Sequence, residues 1–153
     1  MFKSLIKLCD NVKNLKSEKI LIQILVDKNV QNFIIDLNRI EQLFNDGTDA
    51  NGEFLGYYSE ATELINRGLG NNKTTADHIT LKDTGDFYKS FFVRIYVDGF
   101  TIVANSVKDE TDLTEVYGKD IIGLSENSKY ELYKEIKPNI LQFVKKEILK
   151  GLL

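Results

Sequence analysis

His78 and Cys9 are the only histidine and the only cysteine in the chain, and they bound its metal and nucleophile chemistry. One imidazole excludes a multi-histidine zinc site and an HExxH metalloprotease motif. Cys9 and His78 could act as thiol and base only if the fold brought them together. Cys9 falls on an apolar helical pattern, which predicts a buried small hydrophobe instead. His78, beside a short predicted strand, reads as structural or exposed. Residues 45–52, Asn45-Asp46-Gly47-Thr48-Asp49-Ala50-Asn51-Gly52, have the composition of a calcium loop but not its spacing. Counted from Asp46, the fifth position is Ala50; counted from Asp49, the sixth is Phe54, where glycine is required. GxGxxG, GxxxxGK[ST] and GxSxG do not occur. Carboxylates are plentiful, but paired acid and base roles depend on geometry. Phe87, Tyr88, Phe91 and Phe92 lie near Lys82, Lys89 and Arg94, a composition that could stack on single-stranded nucleic acid. Their alternation suits a sheet core better. These residues predict no enzyme, no metal and no cofactor.

The chain has 153 residues, 42% of them hydrophobic, which suits one globular domain spanning 1–153. A single proline and ten glycines argue against a linker-rich chain. The net charge of −3 gives no global basic footprint for nucleic acid. Charge is nonetheless uneven. Residues 41–63 carry Glu41, Asp46, Asp49, Glu53, Glu60 and Glu63 with no lysine or arginine, whereas residues 129–153 carry six lysines against three glutamates. Either these are two solvated faces, or the acidic stretch of one copy meets the basic stretch of the next. In the second case Glu41, Asp46, Asp49 and Glu53 on one side and Lys145 and Lys146 on the other are the candidate inter-subunit contacts. A lone cysteine rules out an internal disulfide and predicts a reducing compartment. The first eight residues are too short and too interrupted by lysine for a signal segment. No apolar run approaches the roughly 18 residues of a membrane span. A soluble protein made in a cytoplasm is expected.

Several elements are legible. Phe2, Leu5, Ile6, Leu8, Val12 and Leu15 predict a short amphipathic helix over 2–15. Ser17 is a candidate N-cap for the next element. Ile22, Val26, Val30, Phe33, Leu37, Ile40 and Phe44 keep helical phase and predict one long helix over 18–44. A strand at 20–26 with a break at Asp27-Lys28-Asn29 is the alternative. Residues 45–52 and 66–77 read as mobile loops, 53–59 as an extended segment and 79–82 as a short strand. Thr84 or Asp83 can cap a helical turn. Phe91, Val93, Ile95 and Val97 alternate with Phe92, Arg94, Tyr96 and Asp98. Asp98-Gly99 then predicts a two-residue hairpin turn with positive φ at both central positions, returning over 100–105. On that basis Gly99→Val is expected to destabilise by on the order of 1–2 kcal/mol. Residues 108–120 read as an acidic loop. Ser125 caps a last helix with an apolar stripe from Tyr130 and Tyr133 through Ile136, Ile140, Phe143 and Val144 to Ile148. Pro138 is expected to kink it. The fold class is α+β: long N- and C-terminal helices on a small antiparallel sheet with a central β-hairpin.

In order, the chain carries Leu55-Gly56-Tyr57-Tyr58-Ser59 with Thr62, then Leu81-Lys82-Asp83-Thr84-Gly85-Asp86-Phe87-Tyr88-Lys89-Ser90. The Asp98-Gly99 hairpin, Tyr117-Gly118 and Gly123-Leu124-Ser125 follow. This succession, over roughly residues 45–140, resembles tailed-phage virion-morphogenesis proteins of the tail-completion and head–tail connector group. Thr84, Gly85, Phe87, Tyr88, Ser90, Asp98 and Gly99 carry the resemblance. The chain departs from that group in two places: the usual basic loop has only Arg67 and Lys73 in 63–77, and the proline-rich approach to the last helix is replaced by Lys119-Asp120-Ile121-Ile122. The resemblance implies no catalytic residues and no cofactor. It implies a homo-oligomeric ring at the head–tail junction of a virion, assembled in a host cytoplasm. Neighbouring connector and tail proteins would be its partners. DNA would pass nearby without sequence-specific binding, and no membrane would be involved. A small cytoplasmic protein-binding or regulatory module is the alternative from another class, with an enzyme third.

Overall fold

The computed structural model describes residues 2–59, 78–108 and 110–151. The protein is α+β, with long helices towards both ends and two small antiparallel two-stranded sheets. Helix α1, Phe2–Lys13, forms where its spacing predicts, yet none of its described side chains is buried. Polar contacts help to hold it to the C-terminal end of the chain. The Asn11 amide donates to Ile148 O at 2.8 Å and Lys150 O at 3.1 Å, and Lys7 Nζ donates to Gly151 O at 2.9 Å. These carbonyls lie where a helix runs out of internal donors, so α1 caps the last helix. Cys9 is exposed rather than buried, because the docked side of α1 is the side of Leu8, Asn11 and Leu15.

The stripe expected to form one helix over 18–44 is divided. Helix α2 is Ser17–Leu25 and α3 is Lys28–Asp36. The Asp27 carboxylate accepts from Asn29 N at 2.8 Å and starts α3, while Gln31 Nε2 donates to Leu25 O at 2.9 Å and closes α2. The interruption therefore falls where the alternative reading put it, but the segment before it is helical, not a strand. Ser17 is the first helical residue; Lys16 occupies the cap without a side-chain bond. Burial of Ile24 and Leu25, about 1.5–3 kcal/mol per side chain, outweighs a missing cap worth about 1 kcal/mol. The chain continues from α3 as a π-helical segment, Leu37–Asp46, that buries Leu37, Asn38, Gln42 and Leu43 and ends on Gly47 at φ 63°.

Residues 45–52 are tied in rather than loose. Thr48 N donates to Gln42 O at 2.9 Å, Leu55 N to Gly47 O at 2.8 Å and Ala50 N to Asp120 O at 2.8 Å. The loop expected at 66–77, Thr62, Glu60 and Glu63 lie outside the described residues. The expected strand at 79–82 does not form, because tyrosine side chains take both backbone groups of Thr80 at its centre. Thr80 N donates to Tyr58 Oη at 3.1 Å and Tyr88 Oη donates to Thr80 O. Leu81 sits at φ 56°, which no strand residue adopts.

Helix α4, Asp86–Lys89, leads into β1, Phe92–Ile95, which pairs antiparallel with β2, Phe100–Val103, in the register Phe92 to Val103 and Ile95 to Phe100. The alternation holds: Phe91, Val93 and Ile95 face inward, Phe92, Arg94 and Tyr96 outward. The turn is displaced by one residue from the sequence expectation. Tyr96 N donates to Gly99 O at 2.8 Å, so Val97 and Asp98 are its central pair, and Gly99 is not left-handed. Pairing fixed by the Ile95–Phe100 contact overrides the Asp-Gly signal. The expected acidic loop at 108–120 is also structured. It contains β3, Val107–Lys108, paired with β4, Thr111–Asp112, then α5, Leu113–Tyr117, and a 3₁₀ turn, Lys119–Ile121. Asp112 supplies the cap of α5 by accepting from Thr114 N at 2.8 Å.

Helix α6, Glu126–Ile148, begins at Ser125, whose hydroxyl accepts from Ser128 N at 3.2 Å, as predicted. It runs on past Pro138 to Ile148. Its buried side is Ser128, Leu132 and Ile136; Tyr130 and Tyr133, expected in the stripe, are instead 58% and 51% exposed. The core joins Leu25, Ile34, Leu43 and Ile121 to Phe87, Phe91, Ile102, Leu132 and Ile136.

Candidate functional site

Of the motif residues singled out in the sequence, Thr84, Gly85, Phe87, Tyr88 and Ser90 form one structural knuckle. Gly85 takes φ 84°, a conformation open to glycine, and turns the chain into α4. The Thr84 hydroxyl donates to Asp86 Oδ2 at 2.6 Å, and Lys89 Nζ lies 3.3 Å from Asp86 Oδ1. The Thr84 bond and then Lys89 hold the Asp86 carboxyl below its ordinary value. Phe87 and Tyr88 point into the core, with Phe87 edge-on to Phe91 at 4.9 Å. Burial pushes the Tyr88 phenol well above its ordinary value. Arg39, anchored on Asp36 at 2.9 Å, donates to Tyr88 O at 3.1 Å. Ser90 Oγ donates to Phe87 O at 2.6 Å and accepts from Asn105 N at 2.8 Å, joining the end of α4 to the exit of β2. Asp98 and Gly99 lie apart from this knuckle at the hairpin tip. Residues 84–90 build a corner whose polar side chains bond locally.

A second constellation was hidden inside the apolar stripe. Asn38 and Gln42 are 0% and 2% exposed. Asn38 Nδ2 donates to Ile121 O at 3.2 Å and its Oδ1 accepts from Gly123 N at 3.0 Å. Gln42 Nε2 donates to Gly123 O at 3.1 Å and its Oε1 accepts from Ser125 N at 2.9 Å. Two side-chain amides thus act as a strand edge for residues 121–125 and position the start of α6. The polar residues at helical spacing within a hydrophobic face were the available signal. Their partners, more than 80 residues away, were not visible in the sequence.

His78 is structural: its Nε2 lies 3.0 Å from Phe44 O and supplies a donor to the end of the π-helical segment. Its ring sits against Gly47, where a Cβ would approach within 2.3 Å of His78 Cδ2.

The acidic candidates separate. Asp49 is 6% exposed and spends its carboxylate on Asn51 N at 2.8 Å and Glu53 N at 2.9 Å, so it is a turn residue and not a surface contact. Glu41, Asp46 and Glu53 are exposed. Glu41 and Asp46 line a groove of about 830 Å³ between the π-helical segment, the 46–52 turn and the start of α6. Phe33 and Leu37 supply its apolar part, and Glu126 and Glu131 complete its acidic rim. Lys145 and Lys146 are exposed near the opposite end of α6, roughly 30 Å away at 1.5 Å per residue. The structure therefore does not bring the acidic and basic candidates together within one chain. Among the described residues no group of acidic, histidine or cysteine side chains could hold a metal ion, and no helix is long and apolar enough to cross a membrane.

No family model matches this chain, and neither do the curated proteins or the solved structures with which it was compared. Fold and surface define an α+β protein with a hydrogen-bonded corner at 84–90, a groove with an acidic rim and a lysine-bearing opposite end.

Proposed function

We propose that this protein is a structural subunit of a tailed-phage virion, forming a ring at the head–tail junction that joins adjacent rings around a DNA channel. The observation that carries the reading is the distribution of exposed apolar side chains over separate elements. Leu5, Ile6 and Val12 on α1, Tyr96 and Val97 at the hairpin tip, and Tyr130, Tyr133 and Leu141 on α6 are each 46–68% exposed. Single exposed apolar residues are ordinary, but runs of them on several faces suit a subunit with neighbours on more than one side. The polar groups of the sequence motif, bound locally, also fit a scaffold better than a reaction centre.

Deleting the gene from a phage that encodes it tests the proposal. Filled heads and separate, unjoined tails are expected, with joining restored by the protein supplied in trans. Joined, infectious particles that lack the chain would remove the reading.

A further inference from the structure

We infer that the exposed face of α1 in one copy docks into the acidic groove of a second copy, a head-to-tail contact that rests on the assembly reading above. Helix α1 is the least buried helix and has an unusual surface. Leu5, Ile6 and Val12 are 55%, 60% and 48% exposed, and exposed Cys9 lies among them. The same helix carries Lys3, Lys7 and Lys13 against Asp10 alone. Lys7 is engaged with Gly151 O, which leaves Lys3 and Lys13 to flank the apolar stripe.

The groove is the complement of this face. Its lining holds four carboxylates; Glu126 is paired with Lys129 at 2.6 Å and Glu131 with Lys134 at 2.7 Å, which leaves Glu41 and Asp46 to carry its acidic charge. Half-buried Phe33 offers apolar surface between them, backed by buried Leu37. An apolar centre with an opposite-charge rim is the arrangement in which burial supplies association and charge fixes orientation. The two surfaces cannot meet within one molecule. Helix α1 is fastened at the C-terminal end of α6, and the groove includes the N-terminal turns of the same helix. A surface at one end that fits a surface at the other makes a heterologous contact, which closes into a ring or extends as a filament according to its rotation.

Cys9 allows the contact to be mapped on the intact chain. A benzophenone maleimide attached there, in a mixture of isotope-labelled and unlabelled protein, should cross-link on irradiation to residues 41–52 or 125–131 of the other copy. Glu41→Lys with Asp46→Lys should abolish that product. Adding Lys3→Glu and Lys13→Glu to the same chain should restore it. High salt should weaken it. Inter-chain cross-links at other positions, none at millimolar protein, or binding only to anionic lipid vesicles would overturn the contact. Cross-links elsewhere from a chain still found in particle rings would leave the assembly reading standing. Groove cross-links from a chain absent from particles would keep the contact and remove that reading.

Discussion

Replacing Asn38 by leucine keeps the number and branching of side-chain heavy atoms but removes two hydrogen bonds, to Ile121 O at 3.2 Å and from Gly123 N at 3.0 Å. Ile121 is fully buried and water does not reach Asn38, so the carbonyl and amide lose their partners without replacement. Leaving a buried polar group unpaired costs about 1–3 kcal/mol. Two such groups, offset by the gain from burying an apolar side chain, give a loss of roughly 2–4 kcal/mol. At about 2–4 °C per kcal/mol for a chain of this size, the melting temperature should fall by roughly 4–16 °C. Urea unfolding should show a lower midpoint with an unchanged slope. Gln42→Leu should behave similarly. The double variant should lose less than the sum, because both amides hold Gly123, one through its N–H and the other through its carbonyl. A loss below about 0.5 kcal/mol for either single variant, or strict additivity, would refute the clamp.

Gly47→Ala should destabilise by about 2–4 kcal/mol, combining a positive φ with a clash against His78. Gly47→Ala with His78→Ala should recover the clash part in a thermal melt, and no recovery would count against the packing account. Tyr88→Phe should cost about 1–2 kcal/mol at neutral pH through the lost bond to Thr80 O. Its folded phenol pKa is raised. The wild type therefore keeps this stability below the unfolded value of about 10 and loses it as pH rises above that. The gap between the two proteins in urea unfolding should narrow with rising alkaline pH, and a constant gap would oppose the assignment. Gly99→Ala should be nearly neutral, within about 0.5 kcal/mol, since Gly99 is not left-handed and nothing lies within 4 Å of where an added Cβ would stand. A loss above about 1 kcal/mol would restore the turn expected from sequence.

Local signals were read from the sequence where both partners lie within a few residues. The apolar spacing of α1, the Ser125 cap of α6 and the alternation of β1 depend on neighbours one to four positions away, and all three formed as expected. The fold class followed from their order. Signals with a competing tertiary partner were misread. Asp27 divides a stripe whose apolar phase continues across it, because its cap and the Gln31 bond to Leu25 O outweigh helix continuation. Residues 79–82 have strand composition, but Tyr58 and Tyr88 satisfy Thr80 before another strand can. Cys9 belongs to an apolar pattern but faces solvent, because the docked face of a helix is chosen by what it docks against. Asn38 reaches Ile121 across 83 residues and Gly123 across 85. No periodicity encodes such pairs; only the folded chain brings them together, and with them the groove that the acidic residues line.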